Sequence, residues 1–165
     1  MIVRRLTSDD AADFRALRLR ALADHPAAYG STHADWCDTP VADFAQILDK
    51  RDIFGLFPKA GALAGIAAFD RERGGNTRHR AFVTAVYVTP DLRRQDGASL
   101  LLDRIAEHAR SLGVLQLELH VARNNKAAFE CYRRAGYAPF GTSPRAIRCS
   151  GKFIDEVLMV RQLDA

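Results

Sequence analysis

Two short segments carry the residue types from which a site for an anionic ligand can be assembled. The first follows Pro90 and reads Asp91-Leu92-Arg93-Arg94-Gln95-Asp96-Gly97-Ala98-Ser99. A strand ends, a turn follows, and a helix opens on small residues beside two arginines. The unpaired N–H groups and positive dipole end of a helix N-terminus suit phosphate oxygens. Small residues let the backbone approach closely, and arginine adds charge-assisted, often bidentate contacts. An ordinary strand-to-helix turn with solvated arginines gives the same spacing. The second segment is Asn125-Lys126-Ala127-Ala128-Phe129-Glu130-Cys131-Tyr132. Asn125, Ala128 and Tyr132 stand three and four residues apart and share one helix face. Together they can line a ligand groove, or Tyr132 can pack in the core with its hydroxyl satisfied.

The surrounding elements can be read from periodicity. Ile2 to Leu6 predicts a first strand, and Ser8-Asp9-Asp10 a helix start followed by Phe14, Leu17, Leu19 and Leu22. The stretch from Ala27 to Pro40, which holds Trp36, reads as irregular. Thr39-Pro40 opens a second helix carrying Phe44, Ile47 and Leu48. Ile53 to Phe57 and Ala62 to Asp70 read as strands of a hairpin joined by Pro58-Lys59-Ala60-Gly61. Ala81 to Val88 is a strand rich in Val, Thr and Tyr. Gly97 to Leu112 reads as a helix closed by Gly113, and Leu115 to Val121 as a strand. Asn124 or Asn125 caps a helix that Gly136 ends, and Tyr137 to Gly141 and Lys152 to Leu163 are closing strands. No repeat or linker interrupts residues 1–165, so one mixed α/β domain is expected.

Composition narrows the class. Of 165 residues, 48% are hydrophobic and 27% charged, an ordinary globular balance. No apolar run approaches the length of a bilayer span, and the N-terminus lacks the layout of a signal peptide. Cys37, Cys131 and Cys149 are widely spaced with no CxxC pair, so neither a zinc ribbon nor a disulfide framework is expected, and a reducing, cytoplasmic setting is the default. The histidines His25, His33, His79 and His108 lack metal-ligand spacing and read as loop or surface residues, so no metal is expected. The net charge of +4 and pI of about 9.2 can attract nucleic acid, anionic lipid or a phosphorylated small molecule. No basic run supports a nucleic-acid tail.

Together and in order, the two segments resemble the GNAT superfamily of N-acetyltransferases. Val88-Thr89-Pro90 followed by the arginine- and glycine-bearing helix start is similar to that family's first motif. Asn125, Ala128, Tyr132 and Gly136-Tyr137 fit its second. The stretch from Gly151 to Met159 resembles a closing strand of bacterial members. Two registers fit the first motif. Arg93-Arg94-Gln95-Asp96-Gly97-Ala98 puts Asp96 where the family has glycine, and Arg94 to Ser99 restores the glycine. The first keeps Leu101, Leu102 and Ile105 facing the sheet and is preferred.

The resemblance implies a mixed α/β fold with a mostly antiparallel sheet of six or seven strands, splayed in the middle and flanked by about four helices. It implies acetyl-coenzyme A as acyl donor, bound in the splay between Ala85 to Val88 and Leu117 to Val121. Val86, Tyr87 and Val88 would pair with the pantetheine arm, and an N–H around Tyr87 or Val88 would polarise the thioester carbonyl. Arg93, Arg94, Gln95, Asp96, Gly97, Ala98 and Ser99 would hold the pyrophosphate, with Asn125, Ala128 and Tyr132 beside it. Tyr132 would protonate the leaving thiolate. The strand before the loop has no carboxylate, which leaves Glu118, His120, Asp155 and Glu156 as candidate bases; Glu156 and Glu118 come first. The acceptor, a small-molecule or peptide amine, would meet Tyr29, Ser31 and Trp36, near Asp35 and Asp38. A homodimer through the strand edge from Phe153 to Leu163 is compatible with family habit; no membrane or nucleic-acid partner is expected. A non-catalytic acyl-coenzyme A-binding or sensory domain stays open because of Asp96, and a basic nucleic-acid module because of the pI.

Overall fold

The structure is a computed structural model and describes residues 1–165 except Ala60 and Arg94. Its strands are β1 (Ile2–Arg5), β2 (Asp52–Phe57), β3 (Gly65–Arg71), β4 (Arg80–Val88), β5 (Gln116–Ala122), β6 (Ala138–Cys149) and β7 (Lys152–Gln162). They form one sheet in the order β1-β2-β3-β4-β5-β7-β6, so the stretch from Phe153 to Leu163, expected as an exposed edge, instead lies between β5 and β6. Every neighbouring pair is antiparallel except β4 with β5. The four expected helices are α1 (Ala11–Asp24), α3 (Val41–Lys50), α5 (Gly97–Ser111) and α6 (Lys126–Arg134). Two single-turn helices were not foreseen: α2 (His33–Trp36), inside the stretch read as irregular, and α4 (Pro90–Arg93). Thr32 caps the first of these by accepting from the Asp35 N–H, while Asp35 accepts from the Thr32 N–H. That reciprocal cap is what four residues need to hold a turn.

The helices cover both sheet faces. On one face Leu101, Leu102, Ile105 and Ala109 of α5 and Tyr132 of α6 pack over Phe54, Leu56, Phe69, Val83, Leu117 and Leu119. On the other, Phe14 and Leu17 of α1 and Phe44 and Leu48 of α3 pack over Ile53, Ile66, Ala68 and Tyr87. Strand β2 is buried on both faces, which is why its sequence is a continuous apolar run rather than an alternating one. Leu19, expected on the buried stripe of α1, is only half buried; Ala21 takes that place.

The hairpin of β2 and β3 forms as expected, but β3 begins at Gly65 rather than Ala62. Its predicted connection includes Ala60, which lies outside the described residues. Strand β6 runs to Cys149, well past the expected end at Gly141. The strand is irregular around Gly141-Thr142-Ser143-Pro144, just past the expected end. Its register with β7 shifts between Pro139 and Gly141 and again between Ser143 and Ile147. Bulges of this kind accommodate proline and glycine in a strand.

Candidate active site

The site grows from one topological fact. Strands β4 and β5 pair only at Arg80–Gln116, Ala81–Leu117 and Phe82–Glu118. Beyond that they part, while β5 stays paired with β7 along its whole length. The edge of β4 that faced β5 is therefore free of a strand partner from Val83 to Val88. A bulge sharpens the parting. Between the pairs Ala68–Thr84 and Ile66–Tyr87, Ala85 and Val86 stand opposite Ala67 alone. Ala85 adopts φ 54°, a left-handed conformation that is unfavourable for a residue with a Cβ. Such a bulge re-aims the strand next to a site.

A cavity of about 390 Å³ opens at the parting. Its walls come from α1 and the loop after it, from α2 and α3, and from β4, β5 and β7. Tyr29, Ser31 and Trp36, the three residues expected at the acceptor, all line it. The Tyr29 hydroxyl donates to the Val86 carbonyl at 3.0 Å, which ties the loop to the bulge. Burial pushes the Tyr29 pKa up to about 12, so this donor stays protonated. Arg15 fastens the far end of the same loop by donating to the carbonyls of Thr39 and Cys37.

Among the candidate bases, His120 and Glu156 line the cavity and lie 3.5 Å apart, Nδ1 to Oε2. They are diagonal neighbours on the β5–β7 ladder, where Glu156 stands opposite Ala122 and Leu158 opposite His120. Glu118 lies at the closed end of the parting. It is buried, accepts from Gln116 Nε2 at 2.8 Å and meets Arg80 Nη1 at 3.6 Å. Asp155 accepts from the Arg145 N–H and holds the irregular turn of β6. Asp35 is committed to its helix cap.

On the other side of β4 the expected pyrophosphate loop leads into α5. Asp96 is the N-cap of α5 with φ 58°, ψ 20°. This is the conformation glycine adopts most easily and aspartate tolerates, in keeping with the register that puts Asp96 in glycine's place. Gly97, Ala98 and Ser99 form the first turn of the fifteen-residue helix. Gly97 is also a packing glycine. A Cβ on it would lie 2.8 Å from Leu56 Cδ2 and 3.1 Å from both the Leu92 carbonyl oxygen and Val88 Cγ1. Gly97→Ala is expected to destabilise the protein by about 1–3 kcal/mol. That is a fall of several degrees in melting temperature, read by thermal unfolding.

Arg93 turns away from the loop. It donates from Nε to the Val88 carbonyl at 2.9 Å and its Nη2 meets His25 Nε2 at 2.8 Å. His25, read as a loop residue, thus has a defined partner and also stacks at a tilt on Tyr87. Tyr87 is buried and donates to Asp24 Oδ2 at 2.9 Å. Arg94 lies outside the described residues. Gln95 is exposed and donates from its amide to the Asp91 carbonyl.

Asn125 caps α6 by accepting from the Ala128 N–H at 3.2 Å. Ala128 and Phe129 are only half buried, and Tyr132 is the one buried residue of that helix. The Tyr132 ring meets Tyr137 edge-on at 6.2 Å. Burial, then the neighbouring Tyr29, Cys131 and Tyr137, push its pKa far above the ordinary phenol range. Cys131 is half buried and its thiol is shifted up by burial, the opposite of an activated nucleophile.

Sequence reasoning missed Arg18 and Arg51, which also line the cavity. Arg51 forms a two-pronged pair with Asp70, which also accepts from Thr84. The available signal for Arg18 was its position four residues after Phe14, beside the buried stripe of α1. A surface arginine laying its stem along apolar neighbours gives the same pattern. His108, read as a loop or surface residue, sits in α5 between the rings of Phe54 and Phe69 and contacts Asp52 at 3.0 Å.

The model of the acetyltransferase (GNAT) family matches residues 15–137. The chain belongs to that family of acetyl-transferring enzymes. It is 28% identical over 150 residues to an L-methionine sulfoximine/L-methionine sulfone acetyltransferase of Pseudomonas aeruginosa, covering 87% of each chain. It is 30% identical over 141 residues to an N-acetyltransferase of Methanocaldococcus jannaschii, covering 82% of this chain and 59% of that longer protein. Among solved structures, a GNAT acetyltransferase of Streptococcus pneumoniae superposes with a TM-score of 0.86 at 24% identity, covering 98% of each chain. The YncA acetyltransferase of Salmonella typhimurium, solved with acetyl-CoA, superposes with a TM-score of 0.83 at 23% identity, covering 100% of this chain and 95% of the other. At these identities the structural matches establish the fold. No helix among the described residues is long and apolar enough to cross a membrane.

Proposed function

We propose that this chain transfers an acetyl group from acetyl-coenzyme A to the amine of a small molecule or peptide by direct attack. The parting of β4 from β5 carries this reading, because it places a free strand edge between a closed-in cavity and the N-terminus of α5. The residues present suit the coenzyme. Val86, Tyr87 and Val88 offer the open edge of β4 to the amides of the pantetheine arm. The N–H groups of Gly97, Ala98 and Ser99 suit the pyrophosphate, and Asn125, Ala128 and Tyr132 would line the cleft beside the coenzyme. When bound, the coenzyme supplies an activated thioester. The cavity holds the acceptor between Tyr29, Ser31 and Trp36. Glu156, beside His120, takes the proton that the acceptor ammonium must lose before it attacks. Tyr132 donates to the sulfur as the carbon–sulfur bond breaks.

The first test is a melting curve with millimolar acetyl-CoA against one with adenosine diphosphate, followed by thiol release across a panel of amines. A ligand at about 100 times its dissociation constant adds roughly 2.7 kcal/mol of stability, several degrees for a chain of this size. We expect that rise with the coenzyme and thiol release with at least one amine. No rise overturns the assignment of the cleft. A rise with no turnover favours an acyl-coenzyme A-binding or sensory domain, the reading that Asp96 at the loop supports.

A further inference from the structure

The cavity contains a cation that has no counter-ion among the described residues. Arg18 projects from α1 into the wall, packed with its guanidinium 4.9 Å from the centre of the Tyr29 ring. Its Nη1 is closed off from solvent, and no acceptor among the described residues lies within hydrogen-bonding reach of it. Burial disfavours the charged form of Arg18, and the nearby Arg51 adds repulsion. The other charges at the cavity are matched. Arg51 is neutralised by Asp70, and Glu156 lies beside His120. A half-buried guanidinium with no anion is unfavourable unless a partner arrives, and an arginine fork is suited to a carboxylate.

We propose that Arg18 is the anchor for a carboxylate on the acceptor, so that the acceptor is a free amino acid or a similarly small amino-carboxylate. The inference rests on the reading of this cavity as the acceptor site. It adds a charge pattern to that reading: Arg18 at one wall for the carboxylate, and Glu156 at another for the ammonium that becomes the nucleophile. A cavity of about 390 Å³ falls within the range for small ligands. The aromatic side chains Trp36, Phe44 and Phe82 in its lining favour an acceptor with an apolar side chain between its two charges. Binding to Arg18 leaves the transferred group untouched, so Arg18 is a specificity-determining residue rather than a catalytic one.

The test compares three sets of acceptors with matched side chains: free L-amino acids, their α-amides, and the amines left when the carboxylate is removed. Thiol release is followed with the wild-type protein, Arg18→Met and Arg18→Lys. We expect kcat/KM to favour the free amino acids over their amides by about 10- to 100-fold, the scale of a charge-assisted hydrogen-bonded contact. Arg18→Met should abolish that preference by bringing kcat/KM for the free acids down to that for the amides, and Arg18→Lys should retain part of it. The melting temperature supplies a separate readout. Removing an uncompensated buried charge should leave apo Arg18→Met at least as stable as wild type, whereas a structural arginine would cost it several degrees.

Equal turnover of acids and amides by the wild type overturns the proposal, as does a preference that survives in both variants. Absence of turnover with every carboxylated amine, in protein whose melting temperature rises with acetyl-CoA, also overturns it. Failure of the underlying reading looks different: no rise with the coenzyme and no thiol release from any acceptor, in which case the cavity is not an acceptor site and this inference falls with it.

Discussion

Tyr132→Phe should lower kcat by about 10²- to 10³-fold, within the range contributed by a positioned acid, with little change in stability. The ring fills the same space in the core and keeps its edge-on contact with Tyr137, so only the hydroxyl is lost. That hydroxyl holds its proton through the whole accessible pH range, since burial and three neighbouring titratable side chains all raise its pKa. It can donate to a departing thiolate but cannot act as the base.

A phenol so difficult to ionise is a weak acid toward bulk water. The relevant acceptor is not bulk water. The desolvation that disfavours a phenolate also disfavours a thiolate in the same setting, so the two affinities for the proton rise together. Under the proposed role, donation would therefore become favourable only as charge builds on the sulfur. Steady-state thiol release separates this role from packing. A kcat within threefold of wild type would show that the sulfur leaves without Tyr132. A large drop in melting temperature would show that the hydroxyl serves the core.

How far these features could be read from the sequence differed with their range along the chain. The element order was legible because helical and strand periodicities are local. The cap of α6 was legible because Asn125 and the Ala128 N–H it bonds are three residues apart. The residues around the cavity were legible only in part. Tyr29, Ser31 and Trp36 could be named from the family resemblance, but the bond that fixes the loop joins Tyr29 to Val86, 57 residues away. The bulge at Ala85 carries no turn residue to announce it; its left-handed backbone is imposed by the pairing of β3 with β4. Glu118 and Glu156 both looked available, and only the register of β4 with β5 shows one closed in beside Arg80 and the other facing the cavity. Arg18 is the extreme case. Its meaning lies in the lack of a partner among the described residues, which no spacing along a chain expresses.

Asp96→Gly should tighten acetyl-CoA binding, by about fivefold if water screens the charge and by up to several hundredfold if the loop is partly dehydrated around the ligand. The range follows from a carboxylate about 4 Å from a phosphate charge, which costs about 1 kcal/mol in water and about 4 at an intermediate dielectric. Asp96 is exposed, which favours the lower figure. The backbone contributes separately. At φ 58° glycine relieves a left-handed strain of roughly 1 kcal/mol, while loss of a negative charge at the start of α5 removes about 0.3–1 kcal/mol of dipole stabilisation. These nearly cancel, so the apo protein should melt within a few degrees of wild type.

Asp96→Asn divides the two causes, because asparagine tolerates the same backbone but carries no charge. If repulsion limits binding, both variants gain about equally, and the gain shrinks as salt screens the exposed carboxylate. If strain limits binding, glycine alone gains, and salt has no effect on the difference. Calorimetry of acetyl-CoA binding at low and high salt reads both outcomes. If neither variant changes the affinity while the coenzyme still binds, the Asp96 side chain points away from the pyrophosphate. The loop would then act through the N–H groups of α5, for which an aspartate in glycine's conformation serves as well as glycine.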